Sequence, residues 1–129
     1  MRARQMGFAA AGVVIGMLLP ACGGGNPVYG TVSCDFRKGS VNGAEARCQE
    51  RTMVAAEFFA IGCAASGGTK GDGACSRADI IAGCELAKDP LQHVVDWYYT
   101  KLADGSAAER KNREDVTRAC AKDGTVVDP

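Results

Sequence analysis

Residues 28–36 read Val-Tyr-Gly-Thr-Val-Ser-Cys-Asp-Phe, and this stretch sets the fold class of the chain. Apolar or small residues alternate with mostly polar ones, which is the period-two pattern of a strand with one buried face. Asn42-Gly43 is a strong turn signal, and the alternation resumes after it. The sequence therefore predicts an antiparallel hairpin over about residues 28–49.

The pattern repeats further along the chain. Apolar residues spaced three and four apart after Thr52 predict a helix over about residues 52–63. Two segments rich in Val, Ile, Trp and Tyr lie on either side of the turn at Lys88-Asp89-Pro90, and they predict a second hairpin over about residues 80–100.

The last predicted element is a helix that begins at a capping box. Ser106 and Glu109 have the spacing at which each side chain bonds the other residue's backbone amide, which predicts a helix over about residues 107–121. The whole pattern predicts a small α+β domain, in which an antiparallel sheet carries both helices on one side.

Seven cysteines in 129 residues indicate a disulfide-stapled domain from an oxidising compartment. Setting Cys22 aside leaves an even number. Six cysteines allow fifteen connectivities, of which we predict the set Cys34–Cys48, Cys63–Cys75 and Cys84–Cys120. The first pair follows from a hairpin centred on Val41, which places those two cysteines opposite each other. The second closes a short loop after a helix, and the third joins the two cysteines that remain.

The beginning of the chain has the layout of a signal peptide. Arg2 and Arg4 precede an uncharged apolar run over residues 8–21. A helix of that length rises about 21 Å, which is short of the roughly 30 Å hydrocarbon core of a bilayer. We therefore expect residues 1–21 to be removed, residues 22–27 to form a flexible tether, and residues 28–129 to form the domain.

The end of this segment, Leu19-Pro20-Ala21-Cys22, resembles the lipobox of bacterial lipoproteins. Pro20 departs from that pattern, since a small residue is more usual there. The resemblance implies that the Cys22 thiol receives a diacylglyceryl group, that cleavage follows before Cys22, and that the new amine is acylated. Gly23 stands where Asp would favour retention in the inner membrane, so the resemblance implies a cell-envelope lipoprotein of the outer membrane.

The rest of the chain resembles small, uncharacterised Cys-rich envelope lipoproteins of Gram-negative soil bacteria, a resemblance that implies no activity. The residues that carry it are Cys48-Gln49-Glu50, Cys63 with Gly67-Gly68-Thr69, Gly83-Cys84, Trp97-Tyr98-Tyr99, and Cys120 with Gly124-Thr125. Two of these segments also resemble each other, because each runs from a helix-end cysteine through glycine to threonine. We interpret both segments as the end of a helix that is held in place by a disulfide.

Candidate catalytic and metal-binding residues are few. His93 and Asp96 form a His-x-x-Asp pair, but residues three apart on a strand point to opposite faces. The closest domain cysteines, Cys75 and Cys84, are too far apart in sequence for the usual zinc spacing. Residues 67–71 lack the order of a phosphate-binding loop. We therefore predict no catalytic residue, no metal and no cofactor.

The aromatic run Trp97-Tyr98-Tyr99 is left with two interpretations: core packing under the last helix, or a patch for a partner. The domain has a slight acidic excess, which argues against nucleic acid as a partner. We expect a non-enzymatic structural or binding module of the envelope, held at the membrane through Cys22, with an envelope protein or a glycan as its partner. The alternative is an accessory protein or inhibitor of hydrolases, which would use the turn from Arg37 to Gly43.

Overall fold

The computed structural model describes residues 28–129. The predicted signal peptide, Cys22 and the tether lie outside them. The described chain forms six strands and two helices, with one turn of 3₁₀ helix at Ala56–Phe58. In chain order the elements are β1 Tyr29–Asp35, β2 Arg47–Val54, α1 Phe59–Ala65, β3 Thr69–Gly71, β4 Ile80–Lys88, β5 Gln92–Tyr99, α2 Arg113–Cys120 and β6 Thr125–Val127.

All six strands join one antiparallel sheet in the order β3-β1-β2-β5-β4-β6. This order divides the domain into two halves with the same connectivity. Each half is a hairpin, then a helix, then a short strand that pairs with the outer side of its own hairpin. The halves meet where β2 pairs with β5. The predicted α+β class and both predicted hairpins are confirmed.

One row of cross-strand partners defines the face that carries the helices. Cys34 on β1 lies opposite Gln49 on β2, Gln49 opposite Asp96 on β5, and Asp96 opposite Cys84 on β4. Directly opposed residues point to the same side of a sheet. Cys34 is bonded to Cys63 in α1 and Cys84 to Cys120 in α2, so both helices lie on this helix face, as predicted.

The opposite face is covered by the connection between the halves, residues 72–79. Its apolar core consists of Cys48, Cys75, Val95, Trp97 and Tyr99. The Cys48–Cys75 bridge fastens the connection to β2, with the two Cα atoms 6.1 Å apart. We call this side the loop face.

Two of the three predicted bridges are wrong, because the register of the first hairpin differs by one residue from the prediction. Cys48 lies opposite Asp35, not Cys34, so Cys34 and Cys48 point to opposite faces. Cys34 therefore bonds Cys63 on the helix face, and Cys48 bonds Cys75 on the loop face, in place of Cys34–Cys48 and Cys63–Cys75. The structure forms the predicted Cys84–Cys120 bridge.

The first helix begins later than the predicted span of 52–63. Residues 52–54 continue β2, because they pair with the start of β1 on one side and with β5 on the other. Ladder hydrogen bonds on both edges outweigh the helical spacing of the apolar residues. Ala55, at a φ of 56°, then turns the chain out of the strand.

The second helix is also shorter than the predicted 107–121. Asn112 caps it by accepting the Asp115 amide at 3.0 Å, whereas Ser106 bonds Asp104 instead of forming a capping box. Residue 107 is drawn into a bridge with Lys101. A further difference is the short strand β3, which the sequence pattern does not predict.

Gly68 and Gly124 explain the two similar segments. A Cβ on Gly68 would lie 2.3 Å from the Cys34 sulfur, and a Cβ on Gly124 would lie 2.3 Å from the Glu85 carbonyl oxygen and 2.9 Å from the Cys84 sulfur. In each half, the chain between helix and outer strand passes directly over the bridge. Only glycine leaves room for that path.

These contacts predict a stability difference among three Gly→Ala variants. Gly68→Ala and Gly124→Ala should each lower the free energy of unfolding by about 1–3 kcal/mol, because the added methyl has no space. Gly62→Ala, in α1 with nothing within 4 Å of the added carbon, should raise it by about 0.5–1 kcal/mol through helix propensity. Chemical denaturation measures all three, and equal effects would contradict the proposed close approach.

Candidate functional site

A groove lies on the helix face between α1 and the central strands. Its volume is about 340 Å³. It forms because α1 packs on β1 and β3 and α2 packs on β4 and β6, which leaves the helix-face surface of β2 and β5 beside the helices. It is lined by side chains from β2, from the 3₁₀ turn and α1, and from the region of the first bridge: Arg51 and Met53, Phe58 and Phe59, and Phe36 with Cys34 and Cys63.

Arg51 is the charged group of this groove. Its Nε donates to the Gln49 Oε1 at 2.9 Å, and its guanidinium carbon lies 5.1 Å from the centre of the Phe59 ring. Among residues 28–129, Arg51 has no carboxylate at ion-pair distance, whereas Arg37 and Arg77 each have one and Arg47 has two. The half-buried guanidinium therefore keeps donors available at the edge of an apolar surface.

The arginine is held by a chain of polar side chains that crosses β2 and β5. Gln49 Nε2 donates to Asp96 Oδ1 at 2.9 Å, and Arg47 donates to the same oxygen at 3.2 Å. Asp96 is 7% exposed, so these two donors satisfy a carboxylate that would otherwise be costly to bury. Because Gln49 donates its amide to Asp96, its carbonyl oxygen is oriented towards Arg51.

This arrangement is suited to binding a small ligand. The groove has the size and apolar lining of a small-ligand site, with a few polar groups that fix orientation. A guanidinium binds a carboxylate or phosphate through two parallel hydrogen bonds. A ligand with an apolar body and a terminal anion matches both features.

The predicted aromatic patch is wrong, because the structure separates its members. Trp97 and Tyr99 are 5% and 0% exposed and belong to the loop-face core, beneath residues 72–79 and not beneath the last helix. Burial raises the pKa of Tyr99 to about 12, and its hydroxyl donates to the Ser76 carbonyl at 2.6 Å. Tyr98 is half-buried on the helix face, under the guanidinium of Arg110.

A second polar cluster holds the connection on the loop face. Both carboxylate oxygens of Glu50 accept from Arg77, at 2.8 and 3.2 Å, and one also accepts the Cys75 amide at 3.0 Å. The Arg77 guanidinium stacks on Trp97 at 4.3 Å from the ring centre. Partial burial opposes ionisation of Glu50, but the bonds from Arg77 and the Cys75 amide outweigh it and lower its pKa.

His93 and Asp96 lie on opposite faces, as predicted. His93 Nε2 lies 2.7 Å from Glu85 Oε2 on the loop face, while Asp96 belongs to the polar chain of the helix face. Within residues 28–129, no cluster of three or more His, Cys, Asp or Glu side chains has a metal-binding arrangement.

Comparison with known proteins finds no matching protein family, curated sequence or solved structure. In the part of the chain that the structure describes, no helix has the length and apolar character to cross a bilayer.

The groove is not predicted by the sequence pattern, because that pattern assigns residues 52–54 to a helix and ends the hairpin near residue 49. Once β2 extends from Arg47 to Val54, the alternation of Arg47, Gln49 and Arg51 becomes visible as one polar row on a central strand. Polar residues at every second position of a strand paired on both edges would have been the usable signal.

Glu50→Gln should make the domain less sensitive to acid. The pKa of Glu50 in the folded state lies below the ordinary 4.5. The stabilisation that ionised Glu50 contributes is therefore complete above pH 4.5, and it is lost as the pH falls through the folded-state pKa. We expect the variant to lose about 1–3 kcal/mol of unfolding free energy at neutral pH, from the broken charged hydrogen bonds.

The difference between wild type and Glu50→Gln should shrink as the pH is lowered below 4.5 and through the folded-state pKa of Glu50. Urea denaturation at a series of pH values measures it. Glu57→Gln, which removes an exposed carboxylate, is the matched control. Its free energy of unfolding should follow nearly the same dependence on pH as that of the wild type. A difference that stays constant with pH would show that Glu50 acts by packing alone.

Proposed function

We propose that the protein is a membrane-anchored extracytoplasmic lipoprotein, and that its domain is a non-enzymatic binding module of the cell envelope. The observation that carries the proposal is the use of the cysteines. Six of the seven are paired in three bridges within the domain, and each of the six is at most 5% exposed.

Buried bridges of this density favour an oxidising compartment, since they form outside the reducing cytosol. The one cysteine left over is Cys22, the residue at the lipobox-like position. Its thiol is the natural acceptor for lipid, because every cysteine of the domain already has a partner. The outer membrane is the proposed location, on the basis of Gly23.

The binding role rests on the groove. Arg47, four residues earlier on the helix-face side of the same strand, is paired with Glu45 and Asp96, whereas Arg51 has no carboxylate partner in the described residues and keeps guanidinium donors available. We propose that Arg51 instead receives the anionic group of a ligand whose apolar part lies against Phe58, Phe59 and Met53.

Intact mass measured before and after reduction tests cleavage, lipidation and the disulfide bridges together. We expect the protein from membranes to begin at Cys22 and to exceed the mass of its polypeptide by its acyl groups. Reduction should add two hydrogens for each of three bridges. Cys22→Ser should lose the acyl mass and keep the three bridges. A protein that begins at Met1 without acyl groups and has free thiols would overturn the proposal.

Binding of an apolar anion tests the groove. After cleavage Met53 is the sole methionine, so methyl-labelled methionine gives one NMR signal from the groove wall. We expect 3-phenylpropanoate to shift this signal, and Arg51→Gln to weaken the affinity roughly ten- to a hundredfold through loss of a charged hydrogen bond.

Two comparisons make this measurement specific. The uncharged analogue 3-phenylpropanol should bind wild type and Arg51→Gln equally, because it lacks the anion. Arg118→Gln, an arginine on α2 away from the groove, should bind the carboxylate as the wild type does. If the carboxylate binds Arg51→Gln as tightly as wild type, or leaves the Met53 signal unmoved, the proposed anion site is wrong.

The inhibitor alternative is less well supported by the geometry of the first turn. Arg37 does not extend from the turn, because it pairs with Asp35 at 2.7 Å and stacks on Tyr99 at 4.1 Å from the ring centre. Within this turn Lys38 and the tip, residues 41–44, are exposed, while residues 39 and 40 are half-buried.

A further inference from the structure

The exposed apolar side chains are gathered toward one end of the sheet. Six large apolar residues are exposed in residues 28–129. Val28, Tyr29, Phe58 and Leu91 lie on segments at the end of the sheet where β1 begins, and Ile61 lies in α1. The sixth, Val41, lies at the opposite end, in the turn between β1 and β2. Single exposed apolar residues are ordinary on a protein surface, but a gathered set indicates a contact surface.

Hydrogen bonds join the parts of this end. Tyr29 pairs with Val54 across β1 and β2, and the Val54 amide donates to the Leu91 carbonyl at 3.3 Å. The Tyr29 hydroxyl donates to the Pro90 carbonyl. The start of β1, the end of β2 and the β4–β5 turn therefore meet.

The 3₁₀ turn completes this end of the domain. It packs against β1 so closely that a Cβ on Gly30 would lie 3.1 Å from the Ala56 Cβ. Phe58, at the end of that turn, is 68% exposed. We call Val28, Tyr29, Phe58 and Leu91 the apolar rim.

The position of Val28 in the chain indicates what covers the rim. Val28 follows Cys22 by six residues, and six residues span at most about 20 Å when fully extended. A lipid anchor on Cys22 therefore holds the rim within about 20 Å of the membrane. Val41 lies beyond the other end of β1, a strand about 23 Å long for its seven residues, so it is far from the point where the tether joins the domain.

We propose that the apolar rim docks on the phospholipid bilayer in which Cys22 is anchored, an inference that rests on the proposed lipidation. The rim contributes apolar side chains and a tyrosine, the composition that favours the membrane interface. Its charged neighbours are Glu57, Lys88 and Asp89, so electrostatic attraction to anionic lipid is absent from this part of the domain. The lipid anchor keeps the domain near the bilayer, and the apolar rim determines which end of the domain faces the bilayer.

Docking in this orientation places the groove beside the lipid. Phe58 belongs to the rim and also lines the groove. An amphiphilic anion in the membrane could then reach Arg51 without crossing open water.

Tryptophan scanning with lipid-bound quenchers tests the docking. The mature lipoprotein is reconstituted in vesicles of phosphatidylethanolamine and phosphatidylglycerol that carry a nitroxide on the acyl chain near the headgroup. Phe58→Trp and Leu91→Trp report on the rim, and Val41→Trp is the control. The three positions are 68%, 66% and 71% exposed, and the native Trp97 is buried and gives a constant background.

We expect the emission added at positions 58 and 91 to shift to shorter wavelength and to be largely lost with nitroxide lipid, at low and high salt alike. The emission added at position 41 should be unaffected. An intact mass with three bridges confirms that each variant is folded.

Flotation of the vesicles separates the two hypotheses. If the protein floats with the vesicles but positions 58 and 91 are quenched no more than position 41, the rim inference fails and the lipoprotein proposal stands. A blue shift without quenching would assign the rim to another protein surface, which also overturns the inference. A protein that does not float overturns both.

Discussion

The register of β1 against β2 is the constraint on which the rest of the molecule depends. Asp35 lies opposite Cys48 and Cys34 lies opposite Gln49, so the two cysteines of one hairpin serve opposite faces of the sheet. One of them fixes a helix and the other fixes the connection between the halves. A shift of a single residue would exchange the faces of every side chain on the strand. The two layers that cover the sheet are therefore both determined by this one pairing.

The same constraint explains why the centre of the helix face is polar. Each helix is bonded to the first strand of its own hairpin, at Cys34 or Cys84, and so it packs over the outer strands. The central strands are left with partial access to solvent on that face, and they carry Arg47, Gln49, Arg51 and Asp96. The loop face has no such gap, and there β5 supplies the buried Val95, Trp97 and Tyr99. β5 thus contributes Asp96 to the polar chain of the helix face and three apolar residues to the core of the loop face.

Local patterns were sufficient to predict the hairpins and the α+β class, because period-two alternation and turn residues are encoded in neighbouring positions. The Cys84–Cys120 bridge was predicted only as the pair left over by the other two. The bridges of Cys34 and Cys48 were predicted wrongly because a register is a long-range property that turn residues alone do not fix. Residues 52–54 were misassigned for the same reason, since their partners lie on β1 and on the distant β5. Arg51 was missed as a consequence. The aromatic run at 97–99 showed the correct alternation, but the segment that buries it, residues 72–79, carries few apolar residues and gives no sign of its position in the sequence.

The equivalence of the halves has a consequence for smaller polypeptides of this type. Each half is closed on its outer side by its own short strand, and the Cys34–Cys63 and Cys84–Cys120 bridges stay within a half. On the inner side, an isolated half would expose the whole edge of its second strand, eight residues long in β2. An open edge of that length is satisfied by another strand. A chain containing only one half would therefore assemble as a symmetric homodimer, with two copies of the same strand meeting about a twofold axis where β2 and β5 meet here.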